Sequence, residues 1–342
     1  MSTIPTKPLG TNGPLVPRLG LGLMGLSIES GEPAPDEERF QFLDRAVELG
    51  ETFWDTANVY GDSEDLIGKW FERTGKRDEI FLATKVGGII EGKLGSPDVK
   101  FFLRSDAEHV KAACQRSLER LGTDCIDLFY LHRVDGKTPI EHTVQAMAEL
   151  KAEGKIRHIG LSEVSAATLR RAHAVHPIAA VQVEYSPVTL EIEANGLMAA
   201  CRELGVAIVA YSPLGKGLVT GVYRSTKDFG PGDRRAIYPR FSDENLPKNL
   251  VLADTIRGVA EAKGCTPGQL TLAWLWAQGD DIFPIPGTKK IKNLEENVGS
   301  VGVDITPAEV AKIRKLVDEA EVVGTRYPTA LMGVLLADTP EL

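Results

Sequence analysis

Short apolar runs alternate with amphipathic stretches from residue 18 to residue 286, and this rhythm constrains the fold more than any other feature of the chain. The runs are Arg18–Leu23, Thr52–Asp55, Ile80–Lys85, Ile126–His132, Ile156–Gly160, Ala180–Glu184, Val206–Ala210 and Ile282–Pro286. Most are nearly continuously apolar, as strands covered on both faces must be. Helical periodicity fills most gaps, over Asp36–Leu49, Ser63–Glu72, Ser105–Leu121, Pro139–Ala152, Ala166–His173 and Glu193–Leu204, then over the pair Leu250–Ala262 and Pro267–Gln278. Strand-helix alternation predicts a parallel sheet with right-handed crossovers, and eight such units predict closure into a (β/α)8 barrel.

Lys7–Leu9 and Val16–Leu19 flank Asn12-Gly13 and read as an N-terminal hairpin ahead of the barrel, while helices beyond the last strand extend it. No low-complexity linker divides the chain, so one barrel domain is expected over residues 1–342. Gly215–Pro247, rich in Gly, Pro, Asp and Arg, reads as the longest loop insertion. The competing topology is an open doubly wound sheet, for which Gly20-Leu21-Gly22-Leu23-Met24-Gly25 superficially resembles the dinucleotide fingerprint. In that topology Tyr60 and Lys85 would have no purpose, so these glycines are read as a close-packed strand end.

A net charge of -9 argues against nucleic acid as a partner, since phosphate contacts need clustered Lys and Arg. No apolar run approaches the ~20 residues of a membrane span, and the first ten residues lack the apolar core of a signal peptide. Cys114, Cys125, Cys201 and Cys265 show neither zinc-ligand spacing nor a disulfide framework, and His109, His132 and His142 have no ligand spacing either. The expectation is a cytoplasmic protein with reduced thiols, no metal and no membrane partner; a homo-oligomer is left open.

Three of the runs end on ionisable side chains, Asp55, Lys85 and His132, and Tyr60 follows the first by a short loop. In a parallel barrel the C-terminal strand ends converge on one site. A carboxylate, an ammonium, an imidazole and a phenol in one pocket make a proton-delivery device, with the phenol as a candidate proton donor. A free phenol titrates near ~10, so Tyr60 in that role needs a cation such as Lys85 beside it. Asp55 would keep the lysine charged, and His132 would donate a hydrogen bond to the reacting group or assist the relay. Singly, each residue has a plain structural explanation: a loop-capping aspartate, a snorkelling lysine, a hydrogen-bonded core histidine and a loop aromatic. Their joint placement favours chemistry.

Along nearly its whole length the chain resembles the aldo-keto reductase family. The matches are Asp55-Thr56-Ala57-Asn58-Val59-Tyr60-Gly61, Thr84-Lys85, Tyr130-Leu131-His132, Gly160-Leu161-Ser162, Tyr211-Ser212-Pro213-Leu214-Gly215 and Leu294-Glu295-Glu296-Asn297. The resemblance implies a catalytic tetrad of Asp55, Tyr60, Lys85 and His132, NADPH/NADP+ as cofactor, and a small carbonyl compound as substrate. It further implies that Ser162, Glu163 and Gln182 hold the nicotinamide amide and that Tyr211, followed by Ser212, stacks on the ring.

Leu214-Gly215-Lys216-Gly217 suits a pyrophosphate, because glycine permits close backbone approach and lysine adds charge. Gly287-Thr288-Lys289-Lys290 is a local basic segment just past the last strand, where barrels often bind phosphate. The resemblance implies that Thr288 and Lys289 meet the adenosine 2′-phosphate, with Asn293, Glu296 and Asn297 around the adenine. Two residues depart from the family pattern. Many relatives have Asn where Glu163 stands, and Arg where Lys289 stands, and Lys lacks the planar fork of Arg.

Met24, Trp54, Val59 and Arg133 adjoin strand ends and are expected to line the substrate pocket, with Tyr223, Phe229 or Tyr238 added from the insertion. Such a pocket suits aldehydes or ketones of modest size. Two other functions are weighed. One is a Schiff-base aldolase acting through Lys85. The other is a cofactor-sensing regulatory subunit resembling the potassium-channel beta subunits.

Overall fold

The computed structural model describes residues 3–28, 32–92 and 98–342. A hairpin of β1 (Thr6–Pro8) and β2 (Leu15–Pro17) precedes β3 (Leu21–Gly22), α1 (Asp36–Glu48), β4 (Phe53–Asp55), α2 (Ser63–Thr74) and β5 (Phe81–Val86). A second hairpin, β6 (Gly88–Glu91) with β7 (Lys100–Leu103), leads to α3 (Ala107–Leu121), β8 (Ile126–Leu131), α4 (Ile140–Ala152), β9 (Ile156–Ser162) and α5 (Ala166–Val175). Next come β10 (Ala180–Glu184), α6 (Glu191–Ala194), α7 (Leu197–Leu204) and β11 (Ala207–Tyr211). After the insertion follow α8 (Leu246–Lys263), α9 (Pro267–Trp276), β12 (Ile282–Pro284), α10 (Ile291–Gly299), α11 (Pro307–Glu319) and α12 (Thr329–Met332).

Eight parallel strands form one sheet in the order β3, β4, β5, β8, β9, β10, β11, β12. Gly20 N donates to Pro284 O at 3.0 Å and Gly22 N to Pro286 O at 3.3 Å, which joins the first strand to the last. The fold is a (β/α)8 barrel with an N-terminal hairpin and additional C-terminal helices. The glycines that mimic a dinucleotide fingerprint are close-packed strand residues: a Cβ on Gly20 would lie 2.9 Å from both Ile285 and Phe53.

Strand side chains alternate between two cores, as the two-residue period requires. Phe53, Ala83, Leu128, Tyr130, Ala180, Val209 and Phe283 fill the barrel, together with Leu9 and Val16 of the N-terminal hairpin. Trp54, Leu82, Phe129, Ile159, Val181 and Ile208 belong to the larger core shared with the helices. Tyr130 and Gly160 are paired neighbours in β8 and β9, and a Cβ at Gly160 would fall 2.4 Å from the tyrosine ring. Glycine there is what allows so large a side chain inside the barrel.

Some expected boundaries shift for local reasons. The helix expected over Glu193–Leu204 is broken into α6 and α7 at Gly196, whose φ of 87° lies outside the helical region. The helix expected from Leu250 begins at Leu246, because Pro247 occupies the first turn, where a missing N–H costs no hydrogen bond. The insertion carries short 3-10 turns at Gly215–Thr220, Thr226–Asp228, Arg234–Ile237 and Pro239–Phe241. The β6–β7 hairpin lies between β5 and α3, where the strand-helix alternation predicts no element. Its signal was the β-rich run Val99–Leu103 facing Gly88–Glu91.

Candidate active site

Asp55 ends β4, Lys85 lies near the end of β5, and His132 follows β8, so three neighbouring strands bring them together. Lys85 is fully buried, and its Nζ donates to Asp55 Oδ1 at 2.5 Å and to Thr56 O at 2.7 Å. Gln182, from β10, donates through Nε2 to the other carboxylate oxygen, Oδ2, at 2.7 Å. Burial is the largest influence on Asp55 and lifts its carboxyl above the usual carboxylate range, against the pull of Lys85 and Gln182.

Tyr60 sits above this chain of contacts. Its ring centroid is 5.0 Å from Lys85 Nζ and 5.8 Å from the His132 ring, which meets it edge-on at 81°. Burial, Arg133 and Lys85 hold His132 well below the ordinary imidazole range, so it is neutral near pH 7 and keeps one N–H to donate. The loop carrying Tyr60 is anchored by Arg120, whose guanidinium donates to the carbonyls of Asn58 at 3.1 Å and Gly61 at 2.6 Å. Arg120 is itself paired with Glu64 at 2.9 Å and Asp65 at 2.7 Å. This anchor was not read from the sequence. Its ion pairs span 56 and 55 residues and follow no local spacing.

At the end of β9, the strand next to β8, Ser162 Oγ accepts from Arg133 at 2.9 Å. Glu163 is fully buried and in bidentate contact with Arg326, both bonds 2.8 Å. It also accepts from Tyr211 Oη at 2.8 Å and from Glu184 N at 3.1 Å. Both oxygens of Glu163, assigned by resemblance to the nicotinamide amide, thus already have partners within the chain. Lys216, assigned to a pyrophosphate, pairs with Glu184 at 2.9 Å and stands 4.7 Å from the Tyr327 ring and 5.2 Å from that of Tyr238. Ser212, Lys216, Gly215 and Gly217 all have positive φ, which folds the segment from Leu214 into a tight turn.

Thr288 is buried, and its Oγ1 accepts from Lys290 N at 3.2 Å. Gly287 bridges to Gly22 in the barrel seam. Lys289 lines a cleft of about 540 Å³ with Gly25, Ser27, Arg39 and Ile291. In α10, Asn293 is exposed, Asn297 is buried, and Glu296 accepts from Thr266 Oγ1 at 2.7 Å.

The expected pocket residues fare unevenly. Trp54 does not face the mouth. It alternates with the inward-facing Phe53 and Asp55 and packs in the helix layer, 4.8 Å from Trp70 and 6.3 Å from Phe71. Met24 is half-buried in a 3-10 turn after β3. Val59 is half-buried in the Tyr60 loop, where a Cβ on Gly88 would lie 2.9 Å from its Cγ1. The guanidinium of Arg133 faces Tyr211 at 5.9 Å. Within the insertion, Tyr223 packs on Phe229 and under Arg235, while Tyr238 packs on Tyr327.

Among the described residues, no group of three or more His, Cys, Asp or Glu is placed to hold a metal ion, and no helix is long and apolar enough to cross a membrane.

Comparison with known proteins agrees with this architecture. The Aldo/keto reductase family matches residues 18–318. The aldo-keto reductase str7 of Strobilurus tenacellus is 54% identical over 346 residues, covering 99% of each chain. The aldo-keto reductase yakc [NADP(+)] of Schizosaccharomyces pombe is 49% identical over 344 residues, again with 99% of each covered. Among solved structures, the glycerol dehydrogenase AKR11B4 of Gluconobacter oxydans superposes with a TM-score of 0.84 at 25% identity, over 95% of this chain and 98% of that one. The thermostable aldo-keto reductase Tm1743, solved with the inhibitor epalrestat, gives a TM-score of 0.73 at 29% identity, over 91% of this chain and 99% of that one. With a barrel of this topology, and a family match that takes in Asp55, Tyr60, Lys85, His132 and the basic segment after β12, the chain belongs to the aldo/keto reductase family.

Proposed function

We propose that this protein is an NADPH-dependent oxidoreductase that reduces aldehydes or ketones to alcohols, with Tyr60 as the general acid. The observation that carries this reading is the buried chain Gln182–Asp55–Lys85 beneath Tyr60, with neutral His132 edge-on to the same ring. The residues present fit the cofactor. Gly215 and Gly217 offer backbone without side chains, and Thr288 and Lys289 stand before α10, whose N-terminus has no side-chain cap.

NADPH supplies the hydride when bound. Asp55 keeps Lys85 charged and fixed, and Lys85 favours the phenolate that Tyr60 becomes on giving up its proton. Neutral His132 donates its N–H toward the carbonyl oxygen and so favours charge building there. Arg120 holds the Tyr60 loop at the two carbonyls that flank the tyrosine, which limits drift of the acid from the reacting oxygen. A Schiff-base role for Lys85 is less well supported, since its ammonium is buried and held by two acceptors.

A panel of small aldehydes and ketones with NADPH and NADH, followed by cofactor oxidation, tests the proposal. Turnover of at least one carbonyl with NADPH is expected. Tight NADPH retention without turnover across the panel, alongside a stable protein complex, would instead favour the regulatory-subunit reading.

A further inference from the structure

Arg326 lies between α11 and α12, far from every strand in sequence, yet is almost fully buried at the barrel mouth. Besides its two bonds to Glu163, its Nη1 is 3.2 Å from Tyr211 Oη, its Nε is 3.3 Å from Glu191 and its Nη1 is 3.8 Å from Glu184. The following residue, Tyr327, brings its hydroxyl 3.5 Å from that of Tyr211. Ten residues after Tyr327 the same segment returns to Glu163: Ala337 N donates to Glu163 O at 3.0 Å and Ser165 N to Ala337 O at 3.0 Å. Glu163 is thus gripped at its carboxylate and at its carbonyl by one stretch of chain. Its own φ of 53° is a conformation that non-glycine residues adopt only where surroundings enforce it.

We infer that Arg326 is a positioning residue for the nicotinamide end of the cofactor site, where it neutralises Glu163 and fixes the Glu163–Tyr211 platform. The inference rests on the reading above that Glu163 and Tyr211 face the nicotinamide. The charge argument is specific. Oxidised nicotinamide is cationic and reduced nicotinamide is neutral, so a bare carboxylate beside the ring would favour the oxidised form and oppose carbonyl reduction. In a site with little water such a charge acts strongly. A bidentate guanidinium cancels it and also locks the carboxylate in one orientation.

Glu163 is faced by Arg133 from beyond β8, by Tyr211 from β11, by the Glu184 amide from β10 and by Arg326; Glu184, Glu191 and Arg240 face the arginine, and Glu184 is shared with Lys216 and Arg240. Burial pulls the Glu163 carboxyl up, but Arg326, Arg133 and Tyr211 outweigh it and hold it below the ordinary carboxylate range. Without Arg326 the burial effect gains weight, and Arg133 is the cation that still acts on Glu163 directly, while Lys216 and Arg240 remain on Glu184.

The test is calorimetric titration of the full chain with NADP+ and with NADPH, for the wild type, Arg326→Met, Glu163→Gln and the double variant. Arg326→Met should tighten NADP+ relative to NADPH by about tenfold, on the order of one close charge in such a site. That bias should fade as pH falls and Glu163 takes up a proton. Glu163→Gln, which leaves the cation uncompensated, should shift the ratio the opposite way, and the double variant should return near the wild type. If Arg326→Met unfolds, the comparison of Glu163→Gln with the double variant still reads the charge of Arg326. Equal weakening of both cofactor forms, with the ratio unchanged, would make Arg326 a structural tie only and overturn the inference while leaving the cofactor site intact. Unchanged affinities in all variants would overturn it by removing the nicotinamide from Glu163.

Discussion

Gln182 holds Asp55 by the oxygen that Lys85 does not take: the amide Nε2 lies 2.7 Å from Oδ2, while the lysine sits on Oδ1. The resemblance implies that this glutamine meets the nicotinamide amide; within the chain, one of its N–H groups also satisfies the second oxygen of a buried carboxylate. That arrangement ties Gln182 to the buried Asp55–Lys85 pair.

Replacing Gln182 with Ala should therefore cost about 1–3 kcal/mol of stability, because one oxygen of a buried carboxylate loses its partner. Turnover should fall along with it as Asp55 and Lys85 loosen. Denaturant unfolding and steady-state rates check both outcomes, and wild-type stability in the variant would mean that Asp55 finds another donor.

Tyr60→Phe should remove most carbonyl reduction, by about 10²–10⁴-fold, as expected when a general acid is lost. NADPH affinity should barely change, since the hydroxyl and not the ring is deleted. Near-normal turnover would exclude Tyr60 as the acid.

Lys289→Ala should weaken NADPH much more than NADH, and added salt should narrow the difference, as screening predicts for an exposed cation. Lys290 is adjacent and also exposed, so the double variant is the sharper comparison. Equal weakening of the two cofactors would place the 2′-phosphate elsewhere.

Trp54→Ala should act on stability rather than on substrate recognition. The indole is buried against Trp70 and Phe71, and its N–H donates to Glu51 O at 2.8 Å. Loss of so large a core side chain typically costs about 3–5 kcal/mol. A variant that folds with wild-type stability but altered KM across the carbonyl panel would return Trp54 to the pocket.

The alternation of strands and helices was legible in the sequence because both periods are local, and so was the meeting of Asp55, Lys85 and His132, because parallel strand ends must converge. Trp54 obeys the same period: although it adjoins a strand end, its parity sends it outward into the helix layer while Phe53 and Asp55 point inward. What lay beyond the sequence were the charge partners. Arg120 reaches Glu64 across 56 residues and Arg326 reaches Glu163 across 163. No periodicity encodes such pairs, since they exist only once the barrel has closed and the C-terminal segment has come to rest on its mouth. The residue types around the tetrad were set by the chain itself, whereas the partner of each buried charge was decided by tertiary structure, because a buried carboxylate must find its cation in space and not along the sequence.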